Sequence, residues 1–384
     1  MKWREDLKAI LEFWLENSVD YEHGGIYAYV DKTGNLYGTD KSVWFQGRAL
    51  WSFSKAYNLI EANEKYLKAA KKIYDFLPKC TDVDGRMFFT VTKEGKEIQK
   101  RRYYFSETFA AIGCAEYYKA TKDKTVLEKA EKYFAVAYEC FTGERKTMPK
   151  FNSKNYDRKA LSPVMIMLAT TQVMRSIEGL WDKYKGIAEE CLTEIMEGGF
   201  LTEKALLESV DKEGNFDDSP NGRIVNPGHS MEAAWFVMTE GLLTNNQEAI
   251  AFGKKVIDLT MPLGIDKKHG GIIAFTDVDG KPPVQLEWDM KLWWPQCETM
   301  IAARLAYLLF NEEKYNDLYE DLKKYCKQFF VDTEHGEWYG YLHYDNNVST
   351  TLKGNVFKGP FHIPRLYMIM TVLDETENML DFMK

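Results

Sequence analysis

A stretch near the start of the chain, EHGGIYAYVDKTG at residues 22–34, places turn-forming residues at both ends of alternating apolar positions, which is typical of a short β-hairpin. Related stretches follow: DVDGRMFFTVTKEG at 82–95, DKEGNFDDSPNG at 211–222, KHGGIIAFTDVDG at 268–280 and EHGEWYGYLHYDN at 334–346. Counted from one turn glycine to the next, they are spaced by 61, 129, 56 and 66 residues. Because 129 is about two periods, we expect a degenerate copy near 147–160 and six repeats in the 384-residue chain.

Two kinds of helix alternate between these hairpins. The first kind has one apolar stripe and a charged outer face, and it is expected near 3–14, 63–78, 124–141, 181–197, 246–262 and 315–329. The second kind is apolar nearly all round, and it begins near Trp44, Phe105, Ser162, Gly228, Pro295 and Phe361. A helix that is apolar on every side must be enclosed. We therefore expect an all-α (α/α)6 barrel, with six inner and six outer helices and short β-hairpins between repeats, as a single domain over 1–384. An open α-solenoid is the alternative, but it needs capping ends and a period of about 34–47 residues.

Charge and cysteine content exclude several classes of function. With 50 basic and 58 acidic residues the net charge is −8, so the chain has no basic surface of the kind that binds nucleic acid or an anionic membrane. The six cysteines form no CxxC pair, which is unlike a zinc site or a secreted disulfide framework. The N-terminus is charged throughout, unlike a signal peptide, and no apolar run approaches the ~18 residues of a membrane span. We expect a cytoplasmic protein.

Polar side chains collect at the starts of the predicted inner helices. In an (α/α)6 barrel these helices run in one direction, so their N-termini open at one end and favour negative charge there. The polar residues expected at this mouth are Gln46, Arg48, Glu107, His229, Glu232, Gln296, Glu298, His362 and Arg365, with Trp294 as an aromatic contact for a sugar. Such groups are costly inside an aromatic cavity unless they are paired or used. A buried salt-bridge network is the structural explanation, and a functional site is the one we favour.

Two histidines stand out because they begin inner helices two repeats apart. His229 and His362 are placed to approach one ligand from different sides, which suits removal of a proton next to a carbonyl and its return from the opposite face. Glu232, one helical turn after His229, is expected to orient it or raise its pKa. Glu298 is expected to polarise one of the two histidines, and Arg48 to donate to an enolate oxygen.

Other readings of these residues have less support. His23, His269 and His335 precede hairpin glycines by symmetry and are expected to be structural. No HxH, HxxxH or HExxH motif is present, so no metal is expected. No phosphate loop or dinucleotide fingerprint is present either, so a nucleotide-driven or hydride-transfer mechanism has no support. An inverting glycoside hydrolase would need two carboxyls ~6.5–9.5 Å apart, drawn from Glu107, Glu232 and Glu298, and it would leave both histidines without a role. A non-catalytic binding protein would have no use for the intact set of His, Glu and Arg.

Five blocks resemble the N-acylglucosamine 2-epimerase family, also called renin-binding proteins. They are FWLENSVDYEHGGIYAYVDKTG at 13–34, KSVWFQGRALW at 41–51, NPGHSMEAAWF at 226–236, KLWWPQCETMIA at 291–302 and KGPFHIPR at 358–365. The resemblance implies an (α/α)6 barrel that interconverts N-acetylglucosamine and N-acetylmannosamine by ring opening, deprotonation of C2 and reprotonation through an enediolate-like intermediate. It also implies residue roles: His229 and His362 as the acid/base pair, Arg48 and Glu298 as essential partners, and Glu232 and Arg365 as supporting residues.

The same resemblance carries expectations about partners. It implies a homodimer, no cofactor for the chemistry, and ATP as an allosteric activator only. Cellobiose 2-epimerases and mannose- or sulfosugar-acting isomerases share the barrel and usually carry another histidine at the start of the third inner helix. Here that start reads SPVMIML at 162–168, as in the N-acyl branch. Gln296 stands where some relatives have His, which leaves the preferred sugar open, with mannose, glucose and cellobiose as alternatives.

Overall fold

The computed structural model describes residues 1–149, 152 and 154–384, and helices make up most of it. The outer helices are α1 (Trp3–Asn17), α3 (Glu64–Phe76), α5 (Lys124–Thr142), α7 (Trp181–Glu197), α9 (Gln247–Gly264) and α11 (Glu313–Phe329). The inner helices are α2 (Val43–Leu59), α4 (Phe105–Thr121), α6 (Leu161–Arg175), α8 (Pro227–Thr244), α10 (Trp293–Phe310) and α12 (His362–Thr376). A short helix, α13 (Met379–Met383), follows α12, and a 3-10 turn (Leu77–Cys80) follows α3.

The inner helices form a closed ring. Each of them packs against the next, from α2 to α12, and α12 returns to contact α2. This closure confirms the predicted (α/α)6 barrel and rules out the open solenoid. The inner helices begin within two residues of their predicted starts, because a sequence that is apolar on all sides can fold only where the outer ring shields it.

Short antiparallel strands connect neighbouring repeats. They are β1 (Lys41–Ser42), β2 (Thr90–Val91), β3 (Glu97–Gln99), β4 (Arg158–Ala160), β5 (Ser209–Asp211), β6 (Ile224–Val225), β7 (Thr276–Asp277), β8 (Lys291–Leu292), β9 (Tyr341–Leu342) and β10 (Val348–Thr350). They pair in the orders β1-β2-β3, β10-β9-β8, β4-β5 and β6-β7. β1, β4, β6 and β8 lead directly into α2, α6, α8 and α10, and each pairs with a strand of another repeat, so these four helix starts are held by their neighbours.

The predicted hairpins after the outer helices are present, with one correction. Bridges such as Val19 to Ile26 and Ile265 to Ile272 close them. After α7 the equivalent bridge joins Leu201 to Leu206, whereas the predicted stretch 211–222 begins with the last residue of β5 and the turn that follows it. The hairpin between Leu201 and Leu206 contains no glycine, so the turn pattern missed it. The degenerate copy predicted near 147–160 includes residues 150, 151 and 153, which lie outside the described residues.

Three buried lysine–aspartate pairs follow outer helices, and their aspartates occupy equivalent places, two or three residues after the helix ends. They are Lys41 with Asp20 at 2.7 Å, Lys291 with Asp266 at 2.6 Å and Lys353 with Asp332 at 2.9 Å. Burial would raise the pKa of Asp20, but hydrogen bonds from Lys41 and Tyr27 outweigh it and lower that pKa to about 2. The same aspartates accept the backbone N–H groups of the three hairpin histidines. These contacts agree with the structural role expected for His23, His269 and His335.

Two further sequence expectations concern the whole chain. The six cysteines are free and buried, and they form no disulfide. Within the described residues, no helix is both long and apolar enough to span a membrane.

Glycines allow α2 and α4 to approach more closely than side chains would permit. A Cβ built on Gly47 would lie 2.4 Å from the backbone carbon of Phe109, and one on Gly113 would lie 2.7 Å from the backbone oxygen of Gly47. The glycine of the QGR block therefore sets the distance between these two inner helices.

Gly47→Ala is expected to lower the free energy of unfolding by about 1–3 kcal/mol, because the added methyl group collides with backbone that cannot move aside. Gly186→Ala on the exposed face of α7 is the matched control: its methyl group meets open space, and we expect a gain of up to about 1 kcal/mol. Denaturant unfolding measures both. Equal stability of Gly47→Ala and the natural protein would contradict the packing described here.

Candidate active site

The starts of the inner helices surround a cavity of about 680 Å³ inside the barrel. Most of its wall is aromatic or aliphatic. The histidine, acidic and basic side chains that line it are Arg48, His229, Glu232, Glu287, His362 and Arg365. A concave, mainly apolar pocket with a few convergent polar groups has the character of a site for a small molecule.

His362, the first residue of α12, is held by a buried carboxylate. Its Nδ1 lies 2.8 Å from Oε1 of Glu298 on α10, and Oε2 of Glu298 accepts a hydrogen bond from Nε1 of Trp235 at 2.8 Å. Because the carboxylate accepts a hydrogen bond, it favours the imidazole tautomer with its proton on Nδ1. The lone pair on Nε2 of His362 is then available as a base.

The guanidinium of Arg365 balances the charge around His362. Its Nη2 lies 2.6 Å from Oε1 of Glu232 and 2.8 Å from Oε1 of Glu298. Burial lowers the pKa of His362 well below its ordinary value, and the positive charges of Arg365 and Arg48 lower it further. His362 is therefore neutral near neutral pH.

His229, the third residue of α8, has a different electrostatic environment. Its Nδ1 lies 2.9 Å and 3.0 Å from the two carboxylate oxygens of Glu208. Burial alone would lower the pKa of His229, but the negative charge and hydrogen bond of Glu208 outweigh it, so the pKa is raised. His229 thus favours the protonated form where His362 favours the neutral one.

The indole ring of Trp294 contacts both imidazoles, which places them beside the same part of the cavity. The centroid of its ring lies 5.1 Å from that of His229 and 5.9 Å from that of His362. Gly228 permits this arrangement, because a Cβ at that position would lie 2.5 Å from the Trp294 ring. The two histidines therefore flank a common cavity, as their positions in the repeats predicted.

Arg48 faces the cavity from a box of aromatic rings. Its guanidinium lies 4.1 Å from the ring centroid of Phe109 and 5.1 Å from that of Phe361. Nε of Arg48 has no hydrogen-bond partner in the described structure, and Nη1 makes a long bond of 3.4 Å to the backbone oxygen of Phe357. Burial lowers the pKa of Arg48 to about 9, which leaves it charged at neutral pH. Apart from this long bond, its donors make no hydrogen bond among the described residues, so they are available to an anionic ligand atom.

Three residues predicted to bind substrate, Gln46, Glu107 and Gln296, lie behind the cavity wall. All three are fully buried in the first turn of an inner helix and bind the preceding hairpin. The bonds join Gln46 to both backbone groups of Ile26, Gln296 to both backbone groups of Ile272, and Glu107 to the backbone N–H of Met87. Their placement corrects the prediction: these side chains satisfy hairpin backbone groups and do not reach the cavity.

The remaining predicted residues are brought together. Those that line the cavity are Arg48, His229, Glu232, Trp294, His362 and Arg365, and Glu298 lies directly behind them. Glu232 binds Arg365 and makes no hydrogen bond to His229, but its negative charge helps to raise the pKa of His229, which is the second of the two effects predicted for it. Glu208 makes that hydrogen bond instead, and helical spacing could not reveal it, because Glu208 precedes β5 and reaches His229 across the loop that leads into α8.

The carboxylates and imidazole around Arg365 also resemble a metal-binding cluster. Ligand atoms of Glu232, Glu298 and His362 lie within 4.8 Å of one another. The Arg365 guanidinium, however, contacts both carboxylates of this cluster. A metal ion here would have to displace a cation that is already paired.

Solved structures of sugar-converting enzymes share this architecture. The cellobiose 2-epimerase of Bacillus thermoamylovorans B4167 superimposes with a TM-score of 0.82 at 21% identity, covering 95% of this chain and 97% of that one. A D-mannose isomerase superimposes with a TM-score of 0.82 at 17% identity, covering 96% and 97%. At these identities the likeness establishes the fold.

Sequence similarity goes further than the fold. The N-acylglucosamine 2-epimerase of Rattus norvegicus is 31% identical over 374 residues, which cover 94% of this chain and 88% of that protein. The family model described as N-acylglucosamine 2-epimerase (GlcNAc 2-epimerase) matches residues 24–361. The chain belongs to the N-acylglucosamine 2-epimerase family.

Proposed function

We propose that this chain is a sugar 2-epimerase whose single catalytic domain interconverts N-acetylglucosamine and N-acetylmannosamine. The observation that carries the proposal is the pair of imidazoles, His229 and His362, that line one cavity and share Trp294 as a neighbour. Similarity to the rat N-acylglucosamine 2-epimerase supports the choice of substrate.

His362 acts as the base in one direction of the reaction. In the open-chain sugar the proton on C2 is acidic, because C2 is next to the C1 carbonyl. Neutral His362 takes this proton on Nε2, and Glu298 stabilises the imidazolium that forms, through its 2.8 Å contact with Nδ1. The electron pair of the broken C–H bond moves into the C1–C2 bond, and the carbonyl oxygen becomes an oxyanion.

Arg48 stabilises that oxyanion. Among the described residues its guanidinium has no carboxylate in ion-pair contact, and its Nε is unpaired. Donors that are oriented before the reaction stabilise the developing charge at little cost in reorganisation. The aromatic rings around Arg48 exclude water and strengthen this interaction.

His229 completes the reaction as the acid. Its raised pKa keeps it protonated, and it returns a proton to C2 from the face opposite to His362, which inverts the configuration at that carbon. The oxyanion then reverts to the carbonyl, His362 releases its proton to water and His229 takes one up, so protons and electrons balance over the cycle. In the reverse direction the two histidines exchange roles.

The proposed chemistry requires no cofactor, because the chain's own residues supply the base, the acid and the partner of the oxyanion. ATP as an allosteric activator remains a prediction from the family resemblance. A homodimer in the cytoplasm is proposed on the same basis, and six free, buried cysteines are compatible with a reducing compartment.

An epimerase or isomerase of unmodified sugars is the alternative. The structural likeness to a cellobiose 2-epimerase and a D-mannose isomerase favours it. An aldose–ketose isomerase must move a proton from C2 to C1, and a further acid/base group on the third inner helix would serve that step. The α6 residues that face the cavity include no ionisable side chain, which favours epimerisation.

A glycoside hydrolase has less support from the positions of the carboxyls. Glu107 lies behind the wall, bound to Arg86 and Met87. Glu232 and Glu298 both contact the guanidinium of Arg365, so neither carboxyl is free to take the separate acid and base roles that a hydrolase needs.

In deuterated water, the natural protein is expected to place deuterium at C2 of N-acetylmannosamine. His362→Ala should slow this exchange at least about 100-fold, because the base is lost. His343→Ala, which changes an exposed histidine outside the cavity, is the control and should retain the natural rate. NMR of the sugar measures both. Turnover without deuterium at C2 would rule out the two-histidine route.

The pH profile of kcat/KM should be bell-shaped. Activity rises with pH through the lowered pKa of His362, which must be neutral, and falls through the raised pKa of His229, which must be protonated. Glu208→Gln removes the negative charge that raises the pKa of His229, so the alkaline limb should move to lower pH. Glu203→Gln is the control, because Glu203 also precedes β5 but its side chain is exposed, and it should leave the profile unchanged. An unmoved alkaline limb in Glu208→Gln would contradict the role of His229 as acid.

A panel of sugars in deuterated water separates the proposed substrate from the alternative. N-acetylmannosamine and N-acetylglucosamine should interconvert with a kcat/KM at least about ten-fold above those for mannose, glucose and cellobiose, and no ketose should form. Faster conversion of an unmodified sugar would favour the alternative. The panel repeated with ATP tests the predicted activation.

A further inference from the structure

The wall that α6 contributes to the cavity is open along most of its length. Four α6 residues at helical spacing, Ser162, Ile166, Ala169 and Val173, line the cavity and are only half-buried. On the other five inner helices, half-buried cavity-lining residues occur only within the first six positions. Free space therefore continues beside α6 past the level of the two histidines, for roughly 10 Å between Ile166 and Val173 at 1.5 Å per residue.

This deep space is apolar, and we call it the α6 chamber. It is lined by Trp51, Ile112, Ile166, Ala169, Val173 and Phe382. The amide of Gln172 on α6 is already paired within the protein: it donates to Glu240 and to the backbone oxygen of Phe236, each at 3.0 Å. A cavity of 680 Å³ lies in the range of ~300–1,000 Å³ that holds drug-sized ligands, which is more than one amino sugar fills.

One hydrogen-bond donor of the chamber is unpaired. The indole Nε1 of Trp51 is buried and has no hydrogen-bond partner in the described structure. A buried donor without an acceptor is unfavourable, so a ligand that brings an acceptor gains from pairing with it.

We propose that the α6 chamber binds the N-acyl substituent of the amino sugar and accepts aliphatic chains longer than acetyl. The proposal rests on the proposed function. C2 carries both the reacting proton and the amide nitrogen, so the acyl group begins beside His229 and His362 whenever C2 lies between them. The sugar hydroxyls need the polar partners of the mouth, whereas the acyl chain is the apolar part of the substrate. Its carbonyl oxygen is the acceptor that the indole N–H of Trp51 lacks.

The test is a series of mannosamines carrying N-acetyl, N-propanoyl, N-butanoyl and N-hexanoyl groups, assayed by exchange at C2 in deuterated water. Because each buried methylene contributes to binding without touching the reacting atoms, KM should fall about two- to four-fold per added carbon up to butanoyl, with little change in kcat. A KM that rises ten-fold or more from acetyl to butanoyl would overturn the proposal.

Ala169→Leu fills the chamber and should reverse the preference. The ratio of kcat/KM for N-butanoyl over N-acetyl substrate is expected to fall at least ten-fold. Ala251→Leu, the same change on the exposed face of α9, is the matched control and should keep the natural ratio. An unchanged ratio in folded Ala169→Leu would overturn the proposal.

The two levels of inference fail in different ways. Exchange with mannose but with no amino sugar contradicts the proposed function and the chamber's role together. Exchange with N-acetylmannosamine and rejection of every longer chain contradicts the chamber alone. The acyl series on the natural protein decides this even if Ala169→Leu does not fold.

Discussion

A ring of helices that are buried on every side can be stable only if each polar group inside it has a partner, and this constraint organises the molecule. Peptide groups of the hairpins are satisfied by Gln46, Glu107 and Gln296, and the aspartates that shape the hairpin turns are neutralised by buried lysines. Some buried side chains nevertheless keep polar atoms without a partner in the described structure. Among them are the donors of Arg48 and the exposed sides of two imidazoles, and these form the site.

The two imidazoles differ through their neighbours, although each contacts a glutamate. Glu208 faces His229, and no lysine or arginine among the described residues pairs with it, so its negative charge favours the imidazolium. Glu298 faces His362 but also contacts Arg365, whose positive charge offsets that of the carboxylate. Burial therefore has the larger effect and lowers the pKa of His362. The cavity thereby holds two histidines, one suited to act as acid and one as base. Inversion at a single carbon requires such an acid and base.

Much of the fold follows from the sequence, because the spacing of apolar residues and turn glycines is a local signal. Helix starts, the closed ring and the meeting of His229 with His362 depend only on that repeat. Partners that lie far apart in the chain were not predictable in the same way. Glu208 contacts His229 from a loop that is distant in the sequence. Gln46 was predicted to be a site residue, but its side-chain amide is hydrogen-bonded to the backbone of Ile26 in the preceding hairpin. A polar residue at a helix start has two possible uses, and only the packing of the neighbouring loop decides between them.

The contact between α2 and α4 at Gly47 has a consequence for the residue beside it. Gly47 touches the backbone of Phe109, and Arg48 stacks on the ring of the same phenylalanine. The position of the Arg48 guanidinium is therefore fixed by how α2 and α4 are aligned along each other. A shift of α4 by one residue would move the Phe109 ring, on which Arg48 stacks, by about 1.5 Å. Close packing of the two helices therefore also determines where the guanidinium points.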